Sequence, residues 1–164
     1  MKRKAFIVIG SFCFIGIVAL GIFLWGGYDR HTEVVSLYEE MDDHYQPVKQ
    51  TVLHCAFGYF KENNYDCSYT AIEKLINEGE EAINRFDATF SDTEQFQVLL
   101  LRGIGYAQEV MQNSLLLDPG SDDFVHHFNA GYEVKERMLE NEDEIYELLE
   151  KYFTFKSDED EEAL

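Results

Sequence analysis

Residues 34–60 read VVSLYEEMDDHYQPVKQTVLHCAFGYF. In this stretch Val34, Tyr38, Met41, Tyr45, Val48, Val52, Cys55 and Tyr59 recur at alternating intervals of four and three. A helix of 3.6 residues per turn brings positions three and four apart onto one face, so the spacing predicts a helix from about Thr32 to Phe60. Glu39, Glu40, Asp42, Asp43 and Lys49 fill the intervals and mark the opposite face. A heptad-like stripe has two uses. It can be a coiled-coil seam, which would give a homodimer through residues 34–59, or the core face of one helix in a bundle. Repeated tyrosines suit the wider core of a bundle. Pro47 lacks an amide hydrogen, and its ring meets the carbonyl four residues back. A kink or break is therefore expected near Tyr45–Gln46.

Three more helical stretches lie beyond it. The second begins at Ser68 as N-cap and runs to about Phe90, with Ile72, Leu75, Ile76, Gly79, Ile83, Phe86 and Phe90 on one face. The third opens with Ser91-Asp92-Thr93-Glu94, the pattern of a capping box. Phe96, Leu99, Leu100, Gly103, Ala107, Val110 and Met111 come next at helical spacing. Glycine within a helix costs about 1 kcal/mol relative to alanine, so Gly103 and Gly105 suggest close approach of a neighbouring helix. Leu117-Asp118-Pro119-Gly120 is a turn signal. The fourth stretch runs from Ser121 or Asp122 to about Tyr152. Its inner edge is traced by Phe124, Phe128, Tyr132, Lys135, Met138 or Leu139, Glu142, Ile145, Leu148, Leu149 and Tyr152. The expected fold is all-α: a four-helix, up-down bundle of helical hairpins over residues 32–153. Residues 26–31 would form a joint, and the acidic residues 154–164 a disordered tail.

The N-terminal end sets where this bundle works. Residues 1–4 are basic through Lys2, Arg3 and Lys4, and no charged residue occurs from Ala5 to Trp25. A helix over residues 5–25 would be about 30 Å long, the thickness of a bilayer core. The positive-inside rule puts the N-terminus in the cytoplasm and the bundle outside it, in a periplasm or at the cell exterior. A cleaved signal peptide is the rival reading. Ala19 and Gly21 offer small residues for cleavage before Ile22, but the apolar run exceeds a signal h-region of about 7–15 residues.

The chain holds 13 Lys+Arg and 32 Asp+Glu. Lys2, Arg3 and Lys4 are three of the basic residues, so the chain beyond Trp25 has 10 basic and 32 acidic residues, a net charge of −22. That charge repels nucleic acid and anionic lipid headgroups, and suits a basic protein partner. Cys55 and Cys67 are the cysteines outside the apolar run. In an oxidising compartment they are candidates for a disulfide, provided the first helix ends near Gly58. His126 lies four residues after Asp122, and His44 four after Glu40. These are admissible metal-ligand spacings, but no Glu-x-x-His motif accompanies them, so a metal-binding bundle is the least favoured reading. No nucleophile triad, phosphate loop or redox CxxC occurs, and no cofactor or enzymatic role is expected. Tyr59, Phe60, Tyr65, Tyr69, Phe153 and Phe155 gather at helix ends and are candidate partner-binding aromatics. The expected function is a membrane-anchored, extracytoplasmic protein-binding module in a bacterial envelope assembly. The alternative is an immunity-type inhibitor of a toxin or hydrolase.

Overall fold

In the computed structural model, helix α1 runs without interruption over residues 26–57, and the turn ahead of its proline is widened rather than broken. Residues Met41–Tyr45 are π-helical, and the Gln46 amide donates to the Met41 carbonyl, five residues back. Pro47 then enters the first turn of the α-helical segment Gln46–Phe57, where its missing donor is tolerated. The expected kink or break at Tyr45–Gln46 is thus replaced by a π-helical turn. Gly58, at φ 75°, ends α1 in the left-handed conformation and donates its amide to the His54 carbonyl.

The structure describes residues 26–58, 65–114 and 123–153. The expected membrane segment 5–25, the residues Tyr59 and Phe60, the turn at 117–120 and the tail 154–164 with Phe155 lie outside them. Among the described residues the fold is all-α, a bundle of four helices, and no strand occurs. No helix among them is long and apolar enough to cross a membrane.

Helix α2 spans Tyr69–Arg85, α3 Ser91–Ser114 and α4 Phe124–Leu149. Side-chain pairs fix how they run. Glu33 near the start of α1 reaches Thr89 and Phe90 beyond the end of α2, while Cys55 meets Cys67 at the other end. Gln97 donates to the carbonyls of Ile83 (2.7 Å) and Phe86 (2.9 Å). Arg102 pairs with Glu144 at 3.1 Å and Arg137 with Glu109 at 3.2 Å. Consecutive helices therefore run antiparallel. Helices α1 and α3 meet across the diagonal of the bundle, with α2 and α4 on either side.

Val34, Met41, Tyr45, Val48 and Val52 are buried among Ile72, Phe96, Leu100, Ile104 and their neighbours. The α1 stripe thus packs into the chain's own core. Helix α2 is shorter than expected: the backbone turns extended at Phe86, and Phe90 lies outside the helix. Its start is as expected, with Ser68 Oγ accepting from the Ala71 amide.

The start of α3 is organised differently from a capping box. The Glu94 amide donates to the Phe90 carbonyl at 2.9 Å, so Ser91 already lies within the helix. The acceptor at this end comes from α1. Glu33 takes hydrogen bonds from the amides of Thr89 (2.7 Å) and Phe90 (3.1 Å) and from the Thr89 hydroxyl. Burial pushes the Glu33 carboxyl up, but these donors outweigh it and hold it below the usual carboxylate range.

Helix α4 departs furthest from expectation. Lys135, Met138, Ile145, Leu148 and Leu149 are buried as expected, but the buried edge continues through Gly131, Val134 and Asn141, whereas Phe128 and Tyr132 are partly exposed. Close approach explains the rotation, because a Cβ at Gly131 would lie 2.1 Å from Ser114 Oγ on α3.

This packing has two expected outcomes. A Cβ at Gly103 would lie 2.5 Å from the buried ring of Tyr45, whereas one at Gly105 meets nothing within 4 Å. In urea unfolding of the full chain, Gly103→Ala should destabilise by about 1–3 kcal/mol through overpacking. Gly105→Ala should stabilise by up to about 1 kcal/mol. Separately, Glu33→Gln should lower stability at neutral pH by about 1 kcal/mol. A carboxylate with a depressed folded-state pKa contributes above its unfolded pKa, and the contribution is lost as pH falls through the folded value. The difference between wild type and Glu33→Gln should therefore close on acidification.

Candidate partner-binding surface

The end of the bundle that carries the loop between α1 and α2 is held by Cys55 and Cys67. Their α-carbons are 5.4 Å apart and their sulfurs stand at disulfide distance, 2.01 Å. This closure depends on α1 stopping at Gly58, since a longer helix would carry the chain away from Cys55.

The candidate aromatics separate into two kinds. Tyr65 is half-buried; its ring lies 4.8 Å from that of His54, and its hydroxyl donates to Gln50 Oε1 at 3.3 Å. It closes over α1. Phe153 does the same at the opposite end, 5.0 Å from Tyr38 and 6.2 Å from His31. Tyr69 is exposed at the start of α2. Tyr65 and Tyr69 sit near the disulfide while Phe153 lies at the far end of α1, so these three described candidates lie at opposite ends of the bundle.

The seam between α1 and α4 has no counterpart in the sequence motifs. Lys49 and Glu142 form an ion pair there, with side chains only 10% and 13% exposed. Gln46 Nε2 also donates to Glu142 at 3.4 Å. Deeper in, Asn141 donates to the Leu99 carbonyl at 2.9 Å, and the buried Tyr45 hydroxyl is nearby. Burial drives that phenol well above its usual range; the Glu142 carboxylate and Tyr146 add to the effect, and Asn141 opposes it. Tyr146 is also raised, first by burial and then by Glu142. Phe57 packs edge-on against Phe128 and Tyr132, with centroids 5.9 and 6.2 Å away. Spacing alone assigns Glu142 and Lys135 to the inner edge of α4. The structure shows how their charges are met: Glu142 by Lys49, and Lys135 by Glu136 and by the Tyr132 ring 3.7 Å away.

At the Phe153 end, the Tyr152 hydroxyl donates to Asp92 near the start of α3. Burial, reinforced by that carboxylate, pushes its phenol up to about 12.

A concavity of about 660 Å³ lies between α1 and α2 beside the π-helical turn. Glu40, Asp43 and His44 line it from α1, and Glu78, Glu81 and Arg85 from α2. His44 pairs with Glu40 at 3.3 Å and Arg85 with Glu81. These are exposed helix-surface pairs of small energy. Among the described residues no group of three or more His, Cys, Asp or Glu is arranged to hold a metal ion.

The ion pair in the seam makes a clear expectation. Lys49→Met leaves a largely buried carboxylate uncompensated and should destabilise by roughly 3–5 kcal/mol. Replacing both partners, Lys49→Met with Glu142→Leu, should recover most of that loss in the same urea titration.

No protein-family model matches the sequence, and no curated protein or solved structure matches it.

Proposed function

We propose that this chain is a single-pass membrane protein whose acidic helical bundle binds a protein partner outside the cytoplasm, as part of a bacterial envelope assembly. The observation that carries this reading is Cys55 at disulfide distance from Cys67, on a chain whose N-terminal Lys2-Arg3-Lys4 precedes a charge-free run from Ala5 to Trp25. Structural disulfides belong to oxidising compartments, and the positive-inside rule sends the bundle to the same side. The two arguments are independent and agree. The role is binding rather than catalysis, in keeping with a sequence that has no nucleophile, phosphate-loop or metal motif. The partner is basic, because a net charge of −22 beyond Trp25 repels nucleic acid and attracts cationic protein surfaces.

One observation favours a second reading. A field of this strength speeds encounter with a basic enzyme, which suits an immunity-type inhibitor that neutralises a toxin or hydrolase at the membrane. A tight one-to-one complex whose on-rate falls with salt supports inhibition, and a larger salt-resistant envelope complex supports assembly.

A reporter that is active only outside the cytoplasm, fused after Leu164 in the full chain, should be active. The membrane-fraction protein should keep Met1-Lys2-Arg3 or its Met-processed form. Its cysteines 55 and 67 should resist alkylation until reduced. An inactive reporter, or free thiols at both positions, overturns the topology.

A further inference from the structure

Phe128, Tyr132, Leu139 and Tyr146 succeed one another on α4 at intervals of four, seven and seven. They remain 37%, 47%, 37% and 38% exposed. Such spacing places them on one face of the helix. The stem of Lys135 bridges the gap after Tyr132, since its ammonium lies 3.7 Å from that ring. From Phe128 to Tyr146 the line is about 27 Å long at 1.5 Å per residue. Single exposed apolar residues are ordinary, but a row of large ones along a groove marks a surface that is covered in use. The row borders the seam between α1 and α4, where the Met41–Phe57 part of α1 meets α4 through side chains, Lys49 on Glu142 and Phe57 on Phe128 and Tyr132.

We propose that the groove between α1 and α4 docks a basic amphipathic helix of a partner protein, seated on Phe128, Tyr132, Leu139 and Tyr146. The proposal deepens the binding role argued above and rests on it. The charge of the rim selects the occupant. Asp42 on α1 and Glu136, Asp143 and Glu147 on α4 are all exposed beside the row. The lysines of the seam already face carboxylates, Lys49 on Glu142 and Lys135 on Glu136. An apolar row between acidic rims is complementary to a helix with anchors at i, i+4 and i+7 and lysine or arginine elsewhere. A second copy would set one acidic rim against another, and the chain's own segment 157–164, SDEDEEAL, carries the same sign.

The probe is a synthetic 18-residue helical peptide with leucines at that spacing and lysines between, titrated against the full chain in neutral-lipid nanodiscs. A scrambled peptide of the same composition keeps the charge and loses the row. The amphipathic peptide should bind one-to-one, at least about tenfold tighter than the scrambled one. Tyr132→Ala and Leu139→Ala should each weaken it about tenfold with helical circular dichroism unchanged, while Val98→Ala, exposed on α3, leaves it unchanged. Equal affinity for both peptides overturns the groove in favour of charge alone. Self-association abolished by Leu139→Ala, without peptide binding, overturns it in favour of a second copy. A photo-reactive side chain introduced at 139 or at 98 in cells separates this from the broader reading. Partner cross-links from 98 alone overturn the groove and leave the binding role standing; none from either position counts against both.

Discussion

The bundle depends on one contact, the ring of Tyr45 against the bare backbone of Gly103. A tyrosine in the middle of α1 is large enough to hold two helices apart, yet its side chain is buried. It fits because α3 has no side chain at the point of contact, where a Cβ would lie 2.5 Å from the ring. This fixes the height of α1 against α3 across the diagonal. Gly79 does the same from α2, where a Cβ would lie 3.0 Å from Val48 and 3.2 Å from the His44 carbonyl. The middle of α1 is thus gripped from two sides, and this is the region where its backbone is π-helical. Pro47 removes one rung of the hydrogen-bond ladder, and the widened turn over Met41–Tyr45 absorbs the loss ahead of it. Met41, Tyr45 and Val48 thereby remain on one buried side.

The fourth helix takes up what this arrangement leaves. It lies tightly on α3, where Gly131 admits Ser114, and more loosely along α1. A tight interface excludes charge; a loose one tolerates it if the charges are paired. Lys49, Gln46 and Glu142 occupy the loose side, where they fix which faces of α1 and α4 meet. Aromatic residues flank that polar floor and keep part of their surface in water. The seam is therefore a consequence of the Gly131 approach.

Local features were legible in the sequence. The α1 stripe, the Ser68 cap and the condition that Cys55 could reach Cys67 only if α1 ended near Gly58 all come from residues close in the chain. Features made by residues far apart were not. Glu33 organises the start of α3 from 56 residues away, and nothing around Ser91 announces it. On α4 two rows share helical spacing: Phe128, Tyr132, Lys135, Leu139, Glu142 and Tyr146, and Gly131, Val134, Met138, Asn141, Ile145 and Leu148. The expected inner edge drew on both, with Phe128, Tyr132, Lys135 and Glu142 from the first, Ile145 and Leu148 from the second, and Met138 or Leu139 between them. The second carries a glycine and an asparagine, which conceal a core edge in any reading based on hydropathy. Packing decides between them: the glycine permits approach, and Asn141 finds the Leu99 carbonyl.

Charge and shape have different duties on this surface. An acidic field reaches about one Debye length, near 8 Å at physiological salt, and draws in any cation without choosing a register. Register needs apolar contacts at fixed intervals, and α4 offers them beside the floor where Lys49 and Glu142 neutralise each other. The disulfide end stands about 45 Å from the start of α1. The row on α4 runs toward the Cys55–Cys67 closure, where Phe57 meets Phe128 and Tyr132. Fixing that far end limits how far α1 and α2 can part. Were a helix to dock on the row, a surface held by the disulfide would avoid part of the ordering entropy of binding.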